Sequence, residues 1–271
     1  MYPYFTIFGK EFSSYAVMAI IGGVAATIYA LIRTRQKKLN GNDVLYYLTF
    51  AFGFLFIGAV LMHQLLEIIK NYKVIPYLFT DINYFLNHWS VGLVFYGGLY
   101  GTIFGGMAYT KFFKQDTREF FMYLIPVFPL FHMFGRIGCF LVGCCHGMES
   151  EQFGIAYTNA IGGNNGVPYL PVQLYEAFGE LVIFIILCFN QRKVKKYYQP
   201  LGIYLTFYGV MRFILEFFRG DEVRGIFGFL STSQWISLVT IPFGIYCLVV
   251  PVEKNFLNRM YTVLKKENIT I

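Results

Sequence analysis

Two arginines stand where a charge is expensive. Arg136 and Arg212 each interrupt a run of apolar residues, and a charge near the centre of a membrane helix costs about 2.5–3.5 kcal/mol on insertion scales. A charge kept at that cost marks a functional candidate. Guanidinium groups are well suited to holding a phosphate through paired hydrogen bonds. Arg212 has a candidate partner on its own element. Glu216 follows it by four residues and Tyr208 precedes it by four, so a helix would align the three as one polar stripe. Arg136 has no acid within a turn. Its partner is therefore distant in sequence or is an anionic ligand.

The rest of the chain shows what must position these groups. Of 271 residues, 56% are hydrophobic, 20% aromatic and only 14% charged, against about 25% charged in an ordinary soluble domain. Such a composition excludes a disordered chain, a coiled coil and a disulfide-stapled module. It predicts an all-α, polytopic membrane protein. Apolar runs at about 13–32, 44–66, 91–113, 119–145, 172–190, 201–218 and 234–252 predict seven spans, each near the 20 residues that cross a bilayer. We read residues 1–271 as a single transmembrane domain with no soluble domain and no internal repeat. The first twenty residues lack the basic start and small-residue cleavage site of a signal peptide.

Basic residues cluster after alternate spans: Arg33, Arg35, Lys37 and Lys38; Lys111, Lys114 and Arg118; Arg192, Lys193, Lys195 and Lys196; Lys254, Arg259, Lys265 and Lys266. Together these hold 15 of the 22 Lys and Arg. The positive-inside rule then places the N-terminus outside and the C-terminus in the cytoplasm. The net charge of +7 thus belongs to juxtamembrane anchors, and nucleic acid is not expected as a partner. Residues 67–90 mix aromatic and polar side chains and suit an interfacial segment. Residues 146–170, rich in Gly and Asn, read as either an outer lid or a solvated connection. Gly97, Gly98, Gly101, Gly105 and Gly106 suit close helix approach. On this topology Tyr15, Tyr96, Arg136, Gln173, Tyr175, Glu176, Tyr208, Arg212 and Glu216 gather from several spans toward the outer leaflet. Two arginines at that depth point to a phospholipid phosphate.

Four motifs fall in order along the chain. Residues 135–147 read Gly-Arg-Ile-Gly-Cys-Phe-Leu-Val-Gly-Cys-Cys-His-Gly. Residues 171–176 read Pro-Val-Gln-Leu-Tyr-Glu. Residues 208–221 read Tyr-Gly-Val-Met-Arg-Phe-Ile-Leu-Glu-Phe-Phe-Arg-Gly-Asp, and residues 231–237 read Ser-Thr-Ser-Gln-Trp-Ile-Ser. From about Tyr15 to Val250 the chain resembles the prolipoprotein diacylglyceryl transferase family. The resemblance implies a seven-helix bacterial membrane enzyme that needs no cofactor. It implies transfer of the diacylglyceryl group of phosphatidylglycerol to the lipobox cysteine of a preprolipoprotein, with glycerol phosphate leaving. Its partners would be phosphatidylglycerol, the preprolipoprotein signal peptide and membrane lipid, and its site would face the outer leaflet of the bacterial cytoplasmic membrane. We read the protein as a monomer.

Carried over by position, Arg136 and Arg212 match the family's two essential arginines. Tyr15, Gly98, Gly147, Gln173, Tyr175, Glu176, Tyr208 and Glu216 match residues around the substrate. The chain departs from the pattern elsewhere. The family's His-Gly-Gly stands here as Tyr96-Gly97-Gly98, its signature asparagine and glutamate as Cys139 and Cys144, and a histidine before the Gln-Leu-Tyr-Glu motif as Leu170. Phosphate binding is thus kept while acceptor activation is altered, so that a paralogue with another acceptor is the near alternative. A lipid or solute carrier on the same fold is the more distant one, and it should show inverted repeats.

A thiol of ordinary pKa near 8.5 needs a base. Tyr96 takes the place of the family's histidine, and His146 and His132 are the candidate replacements. His63 and His88 read as interfacial. Cys188 and Cys247 read as packing residues. Cys139, Cys144 and Cys145 do not show a standard zinc spacing, and on a continuing helix Cys144 and Cys145 would point apart, so no metal is expected. Packing between helices, a redox role, substrate contact and a direct part in catalysis are the readings left for the three.

Overall fold

In a bilayer every backbone N–H and C=O must be satisfied within the segment, which drives long apolar runs into helix. The computed structural model describes residues 1–7, 9–37, 40–70, 93–114, 118–161, 165–190, 196–220 and 226–266. Each of the seven apolar runs contains a helix: α1 (Ser14–Gln36), α2 (Gly41–Lys70), α3 (Phe95–Phe113), the pair α4 (Arg118–Leu124) and α5 (Val127–Val142), α6 (Val172–Asn190), α7 (Gln199–Leu215) and α8 (Thr232–Val249). A short amphipathic α9 (Phe256–Lys266) follows. Five of these helices are long and apolar enough to cross a membrane, and the pair α4–α5 makes a sixth if counted as one span.

The fourth run departs from expectation in two ways. It is bent by 46° between α4 and α5, where Pro126 supplies no N–H and disfavours helix at Ile125. It also ends at Val142 rather than at residue 145. Gly143 adopts φ +81° and donates its N–H to the carbonyls of Cys139 and Phe140 at 3.0 and 3.1 Å, a left-handed glycine stop.

Helix accounts for most of the chain but not all of it. Among the described residues three small antiparallel hairpins are present: β1 (Tyr4–Ile7) with β2 (Lys10–Ser13), β3 (Ile155–Ala156) with β4 (Pro168–Tyr169), and β5 (Ile226–Phe227) with β6 (Leu230–Ser231). The last hairpin delivers the chain into α8 through a capping box. The Ser231 side chain accepts from the Gln234 N–H at 3.2 Å, and Gln234 Oε1 accepts from the Ser231 N–H at 2.9 Å. The Ser-Thr-Ser-Gln motif is therefore a helix start.

The chain divides into two compact units, residues 1–39 with 118–255 and residues 40–117 with 256–271. In the first, α1 packs on α5, α5 on α6, α6 on α7 and α7 on α8. In the second, α2 packs along α3, and α9 also packs on α3. Glycine permits the α2–α3 approach. A Cβ on Gly101 would collide with the carbonyl oxygen of Phe54, and a Cβ on Gly97 with that of Gly58. On Gly105 it would come within 2.8 Å of the Phe54 Cβ. The expected interfacial segment 67–90 and His88 fall largely or wholly outside the described residues, while His63 lies on α2.

Gly101→Ala should therefore lower the stability of the protein by about 1–3 kcal/mol, the usual cost of overpacking. Gly53→Ala should not, because a Cβ there meets nothing within 4 Å. Thermal unfolding of the two variants side by side in detergent micelles measures the difference.

Candidate active site

The first unit carries a buried chain of charge. Glu176 lies in the first turns of α6, 1% exposed. It faces α5 and α7 because positions 173, 176, 177, 180, 183 and 187 form that helix's buried stripe. Its Oε1 meets Arg136 Nη2 at 3.0 Å, and its Oε2 meets Arg212 Nη1 at 3.3 Å. Tyr208 donates its hydroxyl to the same Oε1 at 3.4 Å. Arg212 continues the chain through Nη2, 2.7 Å from Glu216 Oε2 and 3.3 Å from Ser233 Oγ on α8. Arg219 Nη1 stands 3.8 Å from the same Glu216 oxygen. The order is Arg136, Glu176, Arg212, Glu216, Arg219, three cations alternating with two carboxylates.

This geometry answers the question left by Arg136. Its partner is a carboxylate 40 residues on in the chain. The stripe of Tyr208, Arg212 and Glu216 forms as the spacing predicts, with the ion pair one turn apart.

A second pair braces Arg136 from behind. His132 lies one turn earlier on α5 and accepts a hydrogen bond at Nε2 from Arg136 Nε, at 3.2 Å. Its Nδ1 lies 2.6 Å from Glu180 Oε1 on α6. With Nε2 accepting, the ring proton sits on Nδ1 and points at the carboxylate. The His132 ring also packs edge-on against Tyr208 at 5.5 Å. Glu180 was missed in the sequence. Its only signal was its place four residues after Glu176, one turn on along the same helix face.

Beyond α5 the chain folds back over this end of the unit. Gly147 donates to the Leu170 carbonyl at 2.8 Å, Leu170 to Met148 at 3.0 Å, and Met148 to Phe218 at 2.9 Å. Gly220 donates to the His146 carbonyl at 3.3 Å. Glycine is required at both crossing points. A Cβ on Gly220 would lie 2.5 Å from the Gly147 oxygen, and one on Gly147 would lie 2.6 Å from the Val172 side chain. Tyr157, fully buried within this loop, donates to Gln173 Oε1 at 3.2 Å, and Gln173 Nε2 donates to the Cys144 carbonyl at 2.6 Å. The described part of segment 146–170 is thus tied to α6 and to residues 218–220 by hydrogen bonds. Tyr157 is a second residue that sequence reasoning passed over.

The remaining site candidates are distributed unevenly. His146 is buried, with Nδ1 2.9 Å from the Gly147 carbonyl and its ring 4.0 Å from that of Tyr169. Tyr15 packs over Gly138, whose added Cβ would meet the tyrosine at 3.2 Å. Tyr175 is 44% exposed and turns away from the carboxylate of its neighbour Glu176. The Cys139, Cys144 and Cys145 sulfurs all lie within 4.8 Å of one another. Cys144 and Cys145 lie past the helix stop, so the expectation that they diverge along a helix does not hold. Cys188 lies 3.6 Å from the Tyr29 hydroxyl and Cys247 is buried, in keeping with packing roles. Tyr96 and Gly98 belong to the second unit. There Tyr96 is buried and Gly98 abuts Leu55.

Removing the central carboxylate would leave two buried guanidiniums facing each other. Breaking a buried pair from one side costs about 3–5 kcal/mol. Glu176→Gln should lower the unfolding temperature accordingly, and Tyr175→Phe, at an exposed position, should shift stability by no more than about 0.5 kcal/mol. Circular dichroism melts of the purified variants measure both.

The site can be compared with known proteins. A family model described as prolipoprotein diacylglyceryl transferase matches residues 3–250. A phosphatidylglycerol–prolipoprotein diacylglyceryl transferase of Clostridium tetani is 34% identical over 246 residues, covering 89% of this chain and 94% of its own. One designated transferase 2, from Clostridium perfringens, is 31% identical over 240 residues, covering 88% and 91%. Another, from Methylococcus capsulatus, is 32% identical over 248 residues, covering 86% and 88%. The chain that folds Arg136, Glu176 and Arg212 into one buried contact belongs to the prolipoprotein diacylglyceryl transferase family.

Proposed function

We propose that this protein moves the diacylglyceryl group of phosphatidylglycerol onto the lipobox cysteine thiol of a preprolipoprotein. The observation that carries the reading is the alternating chain from Arg136 to Arg219, in which three guanidiniums meet two carboxylates. A phosphodiester brings one negative charge and oxygen acceptors. It would take its place where Arg136 and Arg212 already converge on a carboxylate. Family membership and relatives whose names carry this activity support the same reading.

In the reaction the acceptor sulfur forms a bond to the glycerol carbon that bears the phosphate. The carbon–oxygen bond breaks, and glycerol phosphate leaves with the bonding pair. Charge grows on the departing phosphate, so donors already held in place gain most as the transition state forms. Arg136 and Arg212 are those donors, and Tyr208, Glu176 and Glu216 fix their directions. His132 holds Arg136 through Nε and Glu176 holds its Nη2, which leaves Nη1 to the anion. The thiol proton must go to a base. His146 takes that role in this reading. If Nδ1–H is donated to the Gly147 carbonyl, Nε2 carries the lone pair. Tyr96 stands where the family's histidine does, and the resemblance alone gives it and Gly98 their place in this reading. Tyr15, Cys139, Cys144, Gly147, Gln173 and Tyr175 line the lipid and peptide paths in this reading.

We further read the chain as one seven-span domain of the bacterial cytoplasmic membrane, with α3 as a span, the N-terminus outside and the site open toward the outer leaflet. The alternation of basic loops supports this topology. The protein acts as a monomer in this reading.

The test is a reconstituted assay with labelled phosphatidylglycerol and a lipobox peptide, following glycerol phosphate release and peptide mass. The wild-type protein should add one diacylglyceryl group to the peptide. Arg136→Ala and Arg212→Ala should each slow release by at least about 100-fold while still inserting into the membrane. Full activity in either variant would remove the phosphate clamp. In the same assay Tyr96→Phe should slow transfer if the hydroxyl acts, and an unchanged rate would take Tyr96 out of the mechanism.

A further inference from the structure

Three thiols converge beside the charged chain, and the reaction as described needs none of their sulfur chemistry. Cys139 lies on the last turns of α5. The helix stops at Val142, Gly143 turns the chain, and Cys145 itself adopts φ +59°. That turn folds Cys144 and Cys145 back toward Cys139, bringing all three sulfurs within 4.8 Å of one another. The Cys144 carbonyl is held by Gln173 at 2.6 Å and its backbone N–H by the Cys139 carbonyl at 3.1 Å, so the turn is anchored from α6 as well as from its own helix. Among the described residues no other group of His, Cys, Asp and Glu side chains meets in this way.

We propose that Cys139, Cys144 and Cys145 form a three-thiolate site for a soft divalent cation of the zinc or cadmium class. Metal–sulfur bonds of about 2.3 Å around a tetrahedral ion set sulfurs about 3.8 Å apart. The three thiols need to close by roughly 1 Å, which rotation about their χ1 bonds supplies. Thiolate ligands select soft ions over magnesium or calcium. The fourth position is left for water. Binding drives the thiol protons into solvent, so affinity rises with pH.

The sequence argued against a metal on two grounds: the spacing is not a standard zinc pattern, and adjacent cysteines diverge on a helix; the second depends on the helix continuing through Cys145. The left-handed turn removes that objection. Cys188 and Cys247 are the two remaining cysteines, one beside Tyr29 and one in the core, and they serve as internal controls.

The full chain, reduced and stripped of metal in detergent micelles, would be titrated with cadmium ion while the ultraviolet thiolate-to-metal charge-transfer band is followed. The band should saturate at one cadmium per chain. Cys139→Ser and Cys145→Ser should each weaken binding by at least about tenfold, and Cys188→Ser should leave it unchanged. X-ray absorption on the cadmium-loaded wild-type protein should count three sulfur neighbours. This second measurement needs no variant to fold. Absence of the band, fewer than three sulfurs, or undiminished affinity in Cys139→Ser would overturn the site. The readout is the metal–sulfur bond itself, so its outcome is independent of whether the chain transfers a diacylglyceryl group.

Discussion

Everything in the first unit is arranged around one shared carboxylate. Glu176 faces Arg136 with one oxygen and Arg212 with the other, so a single side chain ties α5, α6 and α7 at one level. Two guanidiniums brought this close in a medium of low dielectric would repel strongly. The carboxylate between them turns that repulsion into two attractions. Such a device keeps two like charges together with no ligand present, as the proposed phosphate site requires. Glu216 does the same between Arg212 and Arg219 one turn further along. The cations are therefore organised without a ligand, and in the proposed reaction little reorganisation would remain.

The helices can meet at that level because the residues around the charges are small or aromatic. Gly138 lets Tyr15 lie against α5. Gly209 brings α7 onto Ile241 of α8, and Gly202 and Gly244 bring the same two helices together further along. Tyr204 and Tyr208 stack along α7 at 5.7 Å, and the second of them reaches Glu176. In lipid, where apolar surface alone does not drive helices together, close backbone approach and polar contacts supply the association. The buried chain of charge thus holds the helices together through the same contacts that build the candidate site.

Much of this was legible in the sequence. Seven apolar runs become helices because periodic structure is all the bilayer allows, and the Arg212–Glu216 pair follows from helical spacing alone. The resemblance around Arg136, Gln173–Glu176 and Arg212 named the residues that the fold collects. What stayed hidden depends on tertiary packing or on single backbone dihedrals. Nothing local says that Arg136 pairs with Glu176, 40 residues on, or that His132 meets Glu180, 48 residues on. The early stop of α5 was signalled only by Gly143, in a motif already rich in glycine. Yet that one positive φ decides where Cys144 and Cys145 point.

The departures from the family pattern divide along the same line. Leu170 replaces a polar residue, but its backbone supplies contacts that tie segment 146–170 down: its N–H donates to Met148, and its carbonyl accepts from Gly147 and Val172. A change of side chain there leaves those bonds intact. Cys144 likewise offers its carbonyl to Gln173 whatever its side chain. Arg136, Glu176 and Arg212 work through side-chain charge, and no substitute preserves the pairing. A buried site can change freely where its backbone does the holding and cannot where a side chain carries charge against another.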